Sequence, residues 1–428
     1  MTEVKIGFKQ TESAEIPEKW EMARLGDVVE ELKNGFASGK RDENGIVQIR
    51  MNNVTTDGRL IFNSYLKVPV PENLNYWLLK KGDLLFNNTN SIDLVGKSTI
   101  FNDAPFPCTF SNHFTRIRFK KELVLPELIL YHFLILWGKN YFKSVAIRHV
   151  GQSAVHTEYL LKLQIPLPPL PEQRRIAEVL GTVDSAIQKV GGAIESTERL
   201  KKGLMQRLLT RGIGHERFKE SEVGRVPEMW EVVRLGDVIE ELKNGFASGK
   251  RDENGIVQIR MNNVTTDGRL IFNSYLKVPV PENINNWLLR KGDFLFNNTN
   301  SIDLVGKSTI FNDAPFSCTF SNHFTRLRFK KDRVSPELIL YHFLMLWEKN
   351  YFKSVAIRHV GQSAVHTEYL LKLQIPLPPL AEQRRIAEIL SAVDRKLELE
   401  RRRKEKLERV KKGLMNELLT GRKRVKVD

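Results

Sequence analysis

A few kinds of side chain recur close together in this sequence and share one chemistry. Lys33-Asn34-Gly35 and Ser38-Gly39-Lys40-Arg41 place hydrogen-bond donors on glycine-bearing backbone. Arg50, Asn52 and Asn53 follow, then Asn88 and Asn90 inside the run Asn87–Ser91, with Lys97 just beyond. His113, Arg116, Arg148 and Gln152 complete the set. Arg pairs bidentately with guanine, and Asn or Gln with adenine. Lys and backbone amides more often hold phosphates. Singly, an Asn-rich turn is often only a turn, and Arg116 and Arg118 read as the solvated face of a strand. As a set they point to nucleic acid. The set returns at a constant offset, as Lys250, Arg251, Arg260, Asn262, Asn263 and Asn298. Asn300, Lys307, His323, Arg326, Arg358 and Gln362 continue it.

Catalytic patterns fail one by one. Val95-Gly96-Lys97-Ser98-Thr99 resembles the tail of a phosphate-binding loop, but Ser91 stands where the earlier glycine is needed. Leu167-Pro168-Pro169-Leu170 lacks the polar residue before the prolines and the aromatic after them that would cradle an exocyclic amine. There is no glycine fingerprint for S-adenosylmethionine or a dinucleotide. His149 and His156 have no ligand companions at metal spacing, and Cys108 and Cys318 are isolated. The expectation is a reader with no catalytic residue, metal or cofactor.

Charge agrees with that chemistry. There are 67 Lys and Arg against 51 Asp and Glu, a net +16, which favours a polyanionic partner. No apolar run approaches the roughly 18 residues that cross a bilayer, and MTEVKIGFKQTE lacks the apolar centre of a secretory signal. A cytoplasmic protein without a membrane partner is expected. Cys108 and Cys318 occupy one position of a repeat, so buried free thiols suit them better than a bridge.

That repeat organises everything else. Phe8–Trp20 matches Phe218–Trp230, and the offset of 210 holds as far as Lys201–Met205 and Lys411–Met415. Between Glu21 and Arg175 about fifteen positions differ from their counterparts. A unit this long is a duplicated domain with its linker, not a solenoid repeat. In each unit strand-like runs such as Ile46–Met51, Lys81–Phe86 and Phe114–Phe119 come first. Pro126–Lys143 reads as a buried helix opened by its proline. A compact α+β domain is expected, followed by a long helix. Pro168 and Pro169 stop the preceding segment, and Ile176, Leu180, Val183, Ile187, Val190 and Ile194 then form one apolar seam, spaced four and three. Some forty residues of helix span roughly 60 Å.

The expected layout is globular domains at 1–170 and 212–380, long helices at 171–211 and 381–421, and a basic tail at 422–428. Two equal halves with seam-bearing helices suit antiparallel, coiled-coil-like pairing about a pseudo-twofold. Gly191-Gly192, against Arg401-Arg402 in the other copy, leaves open whether the first helix kinks.

These residues carry a family resemblance. IPLPPLPEQRRIAEVL and IPLPPLAEQRRIAEIL resemble the conserved helical regions of type I restriction–modification specificity subunits. FKESEVGRVPEMWEVVRLGDV, GDLLFNNTNSIDLVGKS and HVGQSAVHTEYLLKLQIPLPPL are similar to the domain start and recognition domains of that family. The resemblance implies a non-catalytic subunit with two target-recognition domains on double-stranded DNA. It implies partners too: two methyltransferase (modification) subunits, and helicase-nuclease restriction subunits. Glu172, Gln173, Arg174, Glu382, Gln383 and Arg384 are the expected docking residues of its helices. Such subunits commonly carry dissimilar recognition domains, whereas these are nearly identical, which implies an interrupted palindrome as target. A stand-alone DNA-binding regulator is the alternative.

Overall fold

The computed structural model describes residues 7–11 and 15–426. Met1–Ile6 and the last two residues of the expected basic tail lie outside the described residues. The chain divides into two compact units. One comprises Met1–Gly191 with Arg403–Asp428, the other Gly192–Arg402. Each unit therefore takes its own globular domain together with parts of both long helices.

In the first unit a four-stranded antiparallel sheet runs in the order Val29–Asn34, Phe114–Phe119, Asp83–Asn87, Ser98–Phe101. Its inner face meets the helix Pro126–Gly138 over a core that holds Phe86, Ile117, Leu128, Phe133 and Phe142. Phe86 and Phe133 meet edge to face with centroids 5.6 Å apart. A smaller core around Val47, Ile49, Phe110 and Phe114 lies by a second sheet, in which Ile46–Ile49 pairs parallel with Cys108–Phe110 and antiparallel with Leu66–Val68. Cys108 is buried there and free, with its thiol pKa pushed up to about 12 by burial, so it stays unreactive. A third sheet joins the hairpin Ile147–His149/Gln152–Ala154 to the short strand Thr89–Asn90.

Expected strands are present with shifted ends. The second begins at Asp83 and not Lys81, and Ile46–Ile49 stops before a 3-10 turn at Met51–Asn53. The expected single helix through Lys143 is two. Asn140 takes a left-handed φ of 59°, which Asn tolerates better than most residues, and it separates Pro126–Gly138 from Tyr141–Val145. The second unit repeats these sheets with the same registers.

The long helices are Leu170–Arg211, 42 residues, and Leu380–Leu418, 39 residues. The first runs unbroken through Gly191-Gly192. Gly212 and Gly214, with φ of 66° and 73°, turn the chain after it. Ile176 and Leu180 are buried against Met415, Leu418 and Leu419 within the first unit. Glu172 pairs with Arg424 and Asp184 with Lys411 at 2.7 Å, so the two segments run in opposite directions. In the second unit Met205, Leu208 and Leu209 pack with Ile386 and Leu390, and Lys201 pairs with Asp394 at 2.6 Å. Asp184 also accepts the Tyr131 hydroxyl at 2.9 Å, and Asp394 that of Tyr341 at 2.8 Å. One carboxylate thus ties a globular domain to both helical segments. Val183, Ile187 and Ile194 are only half-buried. Val190, in the middle of the seam, is buried. No helix among the described residues is long and apolar enough to cross a membrane.

Candidate nucleic-acid interface

The strand Ile46–Ile49 delivers Arg50 to the surface, and the 3-10 turn after it presents Asn52. Arg50 Nη2 donates to Ser38 O at 3.2 Å, which sets it beside the exposed loop carrying Lys40 and Arg41. Its Nε is buried and has no hydrogen-bond partner among the described residues. His113 lies near enough for the Arg50 charge to matter. Burial first, and Arg50 second, hold its pKa below the ordinary histidine value, so the ring is neutral at pH 7 and can donate and accept. Asn88 is half-exposed; its amide donates to Thr115 Oγ1 at 3.0 Å, and Thr115 donates to Asn34 Oδ1 at 2.7 Å. The hairpin then adds Arg148, His149 and Gln152, all exposed.

Contacts link these pieces: Ser153 pairs with Asn90 across the strands, and Asn87 Nδ2 donates to His113 O at 2.8 Å. The second copy repeats the arrangement. Arg260 Nη2 reaches Ser248 O at 3.3 Å and Asn298 reaches Thr325 Oγ1 at 2.9 Å. Lys250, Arg251, Asn262, Arg358 and Gln362 are exposed, and His323, like His113, is held low by burial and then by its arginine, Arg260.

Four of the expected contacts in each copy point inward instead. Arg116 is fully buried, pairs with Glu31 at 2.7 Å and donates to Leu78 O at 3.2 Å. Arg326 likewise pairs with Glu241. The strand is not a solvated face, because Glu31, Asp83 and the segment before Leu79 cover it. Burial pushes the Glu31 pKa up, but Arg116 and Arg118 outweigh it and leave the carboxyl below its usual value. Lys97 donates to Met51 O at 2.9 Å and Val54 O at 2.6 Å, which staples the turn that presents Asn52. Lys307 does the same with Met261 and Val264. Gly96 is small for packing, since a Cβ there would lie 2.6 Å from the Phe142 ring. The phosphate-loop likeness therefore has a structural cause.

Asn53 is buried and spans the same turn, accepting from Arg50 N at 3.0 Å and donating to Ser64 O at 2.7 Å; Asn263 matches it. Asn90 bonds Asn87 Oδ1 at 2.6 Å, as Asn300 bonds Asn297. These side chains shape the interface from beneath. Their polar groups are taken up by bonds within the domain.

The geometry can be set beside known proteins. The type I restriction modification DNA specificity domain matches this sequence twice, at residues 17–196 and 227–409. The chain belongs to that family. It is a type I restriction–modification specificity subunit, a DNA-recognition component and not a catalytic one. A Methanocaldococcus jannaschii protein named as the MjaX specificity subunit of a type I restriction enzyme is 32% identical over 436 residues, covering 98% of this chain and 97% of that one. The EcoKI specificity subunit of Escherichia coli is 24% identical over 405 residues, covering 89% and 83%. The solved S subunit of a type I restriction–modification system from M. genitalium has a TM-score of 0.56 at 13% identity, covering 96% of this chain and 98% of that one, a likeness of fold.

Within this specificity subunit the expected docking residues divide. Glu172 is buried; it accepts Trp20 Nε1 at 3.0 Å and pairs with Arg424. Gln173 accepts from Leu125 N at 2.9 Å and donates to Leu123 O at 2.9 Å and Pro168 O at 2.8 Å. Glu382 holds Trp230 Nε1 at 3.0 Å and His215 at 2.8 Å, and Gln383 reproduces the bonds of Gln173. These four fasten the globular domain to its helix, and their polar groups are engaged within the chain. Arg174 and Arg384 alone of the six are exposed.

Sequence reading missed Val150 and Val360, the fully exposed tips of the two hairpins (107% and 106%). An apolar residue between Arg148-His149 and Gly151-Gln152 was the available signal. At the tip of a β-ribbon such a side chain suits a thymine methyl or a base step.

Proposed function

We propose that this specificity subunit reads both halves of a bipartite DNA target with one set of side chains used twice. Residues 1–170 and 212–380 are the recognition domains, and the helices at 171–211 and 381–421 set the unread gap between half-sites. A pseudo-twofold between the halves makes the two reads equivalent on opposite strands, and the target an interrupted palindrome. The exposed faces of the helices, with Arg174 and Arg384, receive two methyltransferase subunits, and restriction subunits complete the complex in the cytoplasm. The observation that carries this reading is the identity of Lys40, Arg41, Arg50, Asn52, Arg148 and Gln152 with their partners 210 residues on, set on strands of equal register.

Within each domain Arg50 and Arg260 act as base readers. Replacing both with alanine in the assembled methyltransferase complex is expected to weaken binding at the cognate site by about 1–3 kcal/mol per lost base contact, with little change on random DNA. Titration against both DNAs checks it. An equal loss on both would make these arginines phosphate holders. Tight, specific binding by the chain alone, indifferent to methyltransferase subunits, would contradict the assembly part of the reading.

A further inference from the structure

Two recognition domains this similar invite the question of where they differ on the face that reads. Most of the exchanged positions lie away from it. Leu84/Phe294 and Ile117/Leu327 are core residues. Leu123/Arg333 and Leu125/Ser335 stand where Gln173 and Gln383 hold the backbone at the foot of the long helices. Gly138/Glu348 ends the buried helix. Tyr76/Asn286 is different.

Tyr76 is 56% exposed, and a chain of contacts leads from it into the interface. Its ring meets Trp77 at 5.0 Å, and Trp77 meets Phe36 at 5.0 Å. Phe36 O accepts Gln48 Nε2 at 3.1 Å, two residues before Arg50. Lys33 sits under the Tyr76 ring and donates to Tyr76 O at 3.4 Å. Its neighbour Asn34 accepts from Thr115, the residue that also holds Asn88.

The second copy changes more than one side chain here. The helical turn Leu74–Trp77 becomes a 3-10 turn, Ile284–Asn286. Lys243 lies 5.1 Å from the Trp287 ring centroid and is more exposed than Lys33, which is 9% exposed. Trp287 Nε1 donates to Asn244 O at 3.3 Å. One domain therefore presents a tyrosine with a lysine held beneath it. The other presents a carboxamide, able to pair bidentately with adenine, beside a more accessible ammonium that suits a phosphate.

We propose that Tyr76 and Asn286 are specificity-determining residues that make the two half-sites differ in base preference at one matching position. This rests on the reading of both domains as twin DNA readers. The ligand is one base pair and its phosphate at the edge of each half-site. The tyrosine ring offers a stacking face and a hydroxyl, whereas asparagine favours adenine.

The test is selection of bound sequences from a randomised bipartite DNA library by the methyltransferase-bound complex. Wild type is expected to select half-sites that agree except at one position, where the preferred base is favoured about fivefold to a hundredfold. Tyr76→Asn should make that position in the first half-site match the second. Asn286→Tyr should do the reverse, and it keeps the test alive if one variant folds poorly. Unchanged preferences in a folded variant of either kind overturn the inference. Half-sites unrelated throughout would overturn the twin-reader reading itself, whereas matching half-sites in which neither variant moves a preference would overturn this inference alone.

Discussion

The two copies share one recognition fold but are fastened differently. In the second, the turn at Thr265–Arg269 is tied to the long helix: Arg401 pairs with Asp267 and with Glu198 at 2.8 Å, and Arg269 with Glu398 at 2.9 Å. Burial raises the Asp267 pKa, but Thr265, Arg401 and Arg269 outweigh it and bring it down to about 2. In the first copy the matching Asp57 and Arg59 pair with each other at 2.7 Å, and the helix offers Gln188 and Gly191 instead of Glu398 and Arg401. The sheet registers are nonetheless the same, and the inner bonds of Asn53, Asn90 and Lys97 recur at Asn263, Asn300 and Lys307. The reading surface is thus set inside each domain, and the helix is where the copies were left to diverge.

The clasp on each tryptophan is a second contrast. Trp20 and Trp230 are both fully buried and both donate to a helix-start glutamate, yet Arg424 completes one clasp and His215 the other. Trp20→Ala and Trp230→Ala are each expected to destabilise their own unit by about 3–5 kcal/mol, read by hydrogen exchange unit by unit. A loss confined to one variant would show that the two clasps do different work.

Next in size is a pH effect that should treat the copies alike. His132 and His342 are buried, with pKa values pushed down to about 4, first by burial. Unfolded histidine takes a proton near pH 6.5, so the unfolded state binds more protons between those values. Stability is therefore full above about pH 6.5 and declines as pH falls toward 4, by up to roughly 3 kcal/mol per site. Melting curves across that range, with His132→Gln and His342→Gln flattening them by similar amounts, would check it. A stability that rose on acidification would contradict the sign.

The smallest effects sharpen the helix contrast. Gly191→Ala is expected to stabilise the first unit by about 1 kcal/mol, because a Cβ there meets open space and helical glycine is costly. Arg401→Ala should cost the second unit no more than about 1 kcal/mol, as its pairs are partly exposed. Local hydrogen exchange measures both. A gain from Gly191→Ala near zero would mean the glycine pair serves a strained geometry after all.

Much of this was legible in the sequence. A constant offset exposed the duplication, and apolar spacing placed the long helices to within a few residues of Leu170–Arg211 and Leu380–Leu418. What was hidden depends on partners far along the chain. Arg116 looked solvated because Glu31, 85 residues away, is invisible to local pattern. Lys97 looked like a ligand group because its carbonyl partners at Met51 and Val54 lie more than forty residues upstream. Gln173, an expected docking residue, is held by the backbone at Leu125 and Leu123, 48 and 50 residues upstream. Exposure, not residue type, separates Arg50, Arg148 and Gln152 from these.

The most direct test maps modified adenines in DNA from cells that express this subunit with its methyltransferase partner. Twin recognition domains expect two half-sites of the same sequence on opposite strands, interrupted by a fixed unread gap and differing at one position at most. Two half-sites with unrelated sequences would contradict it.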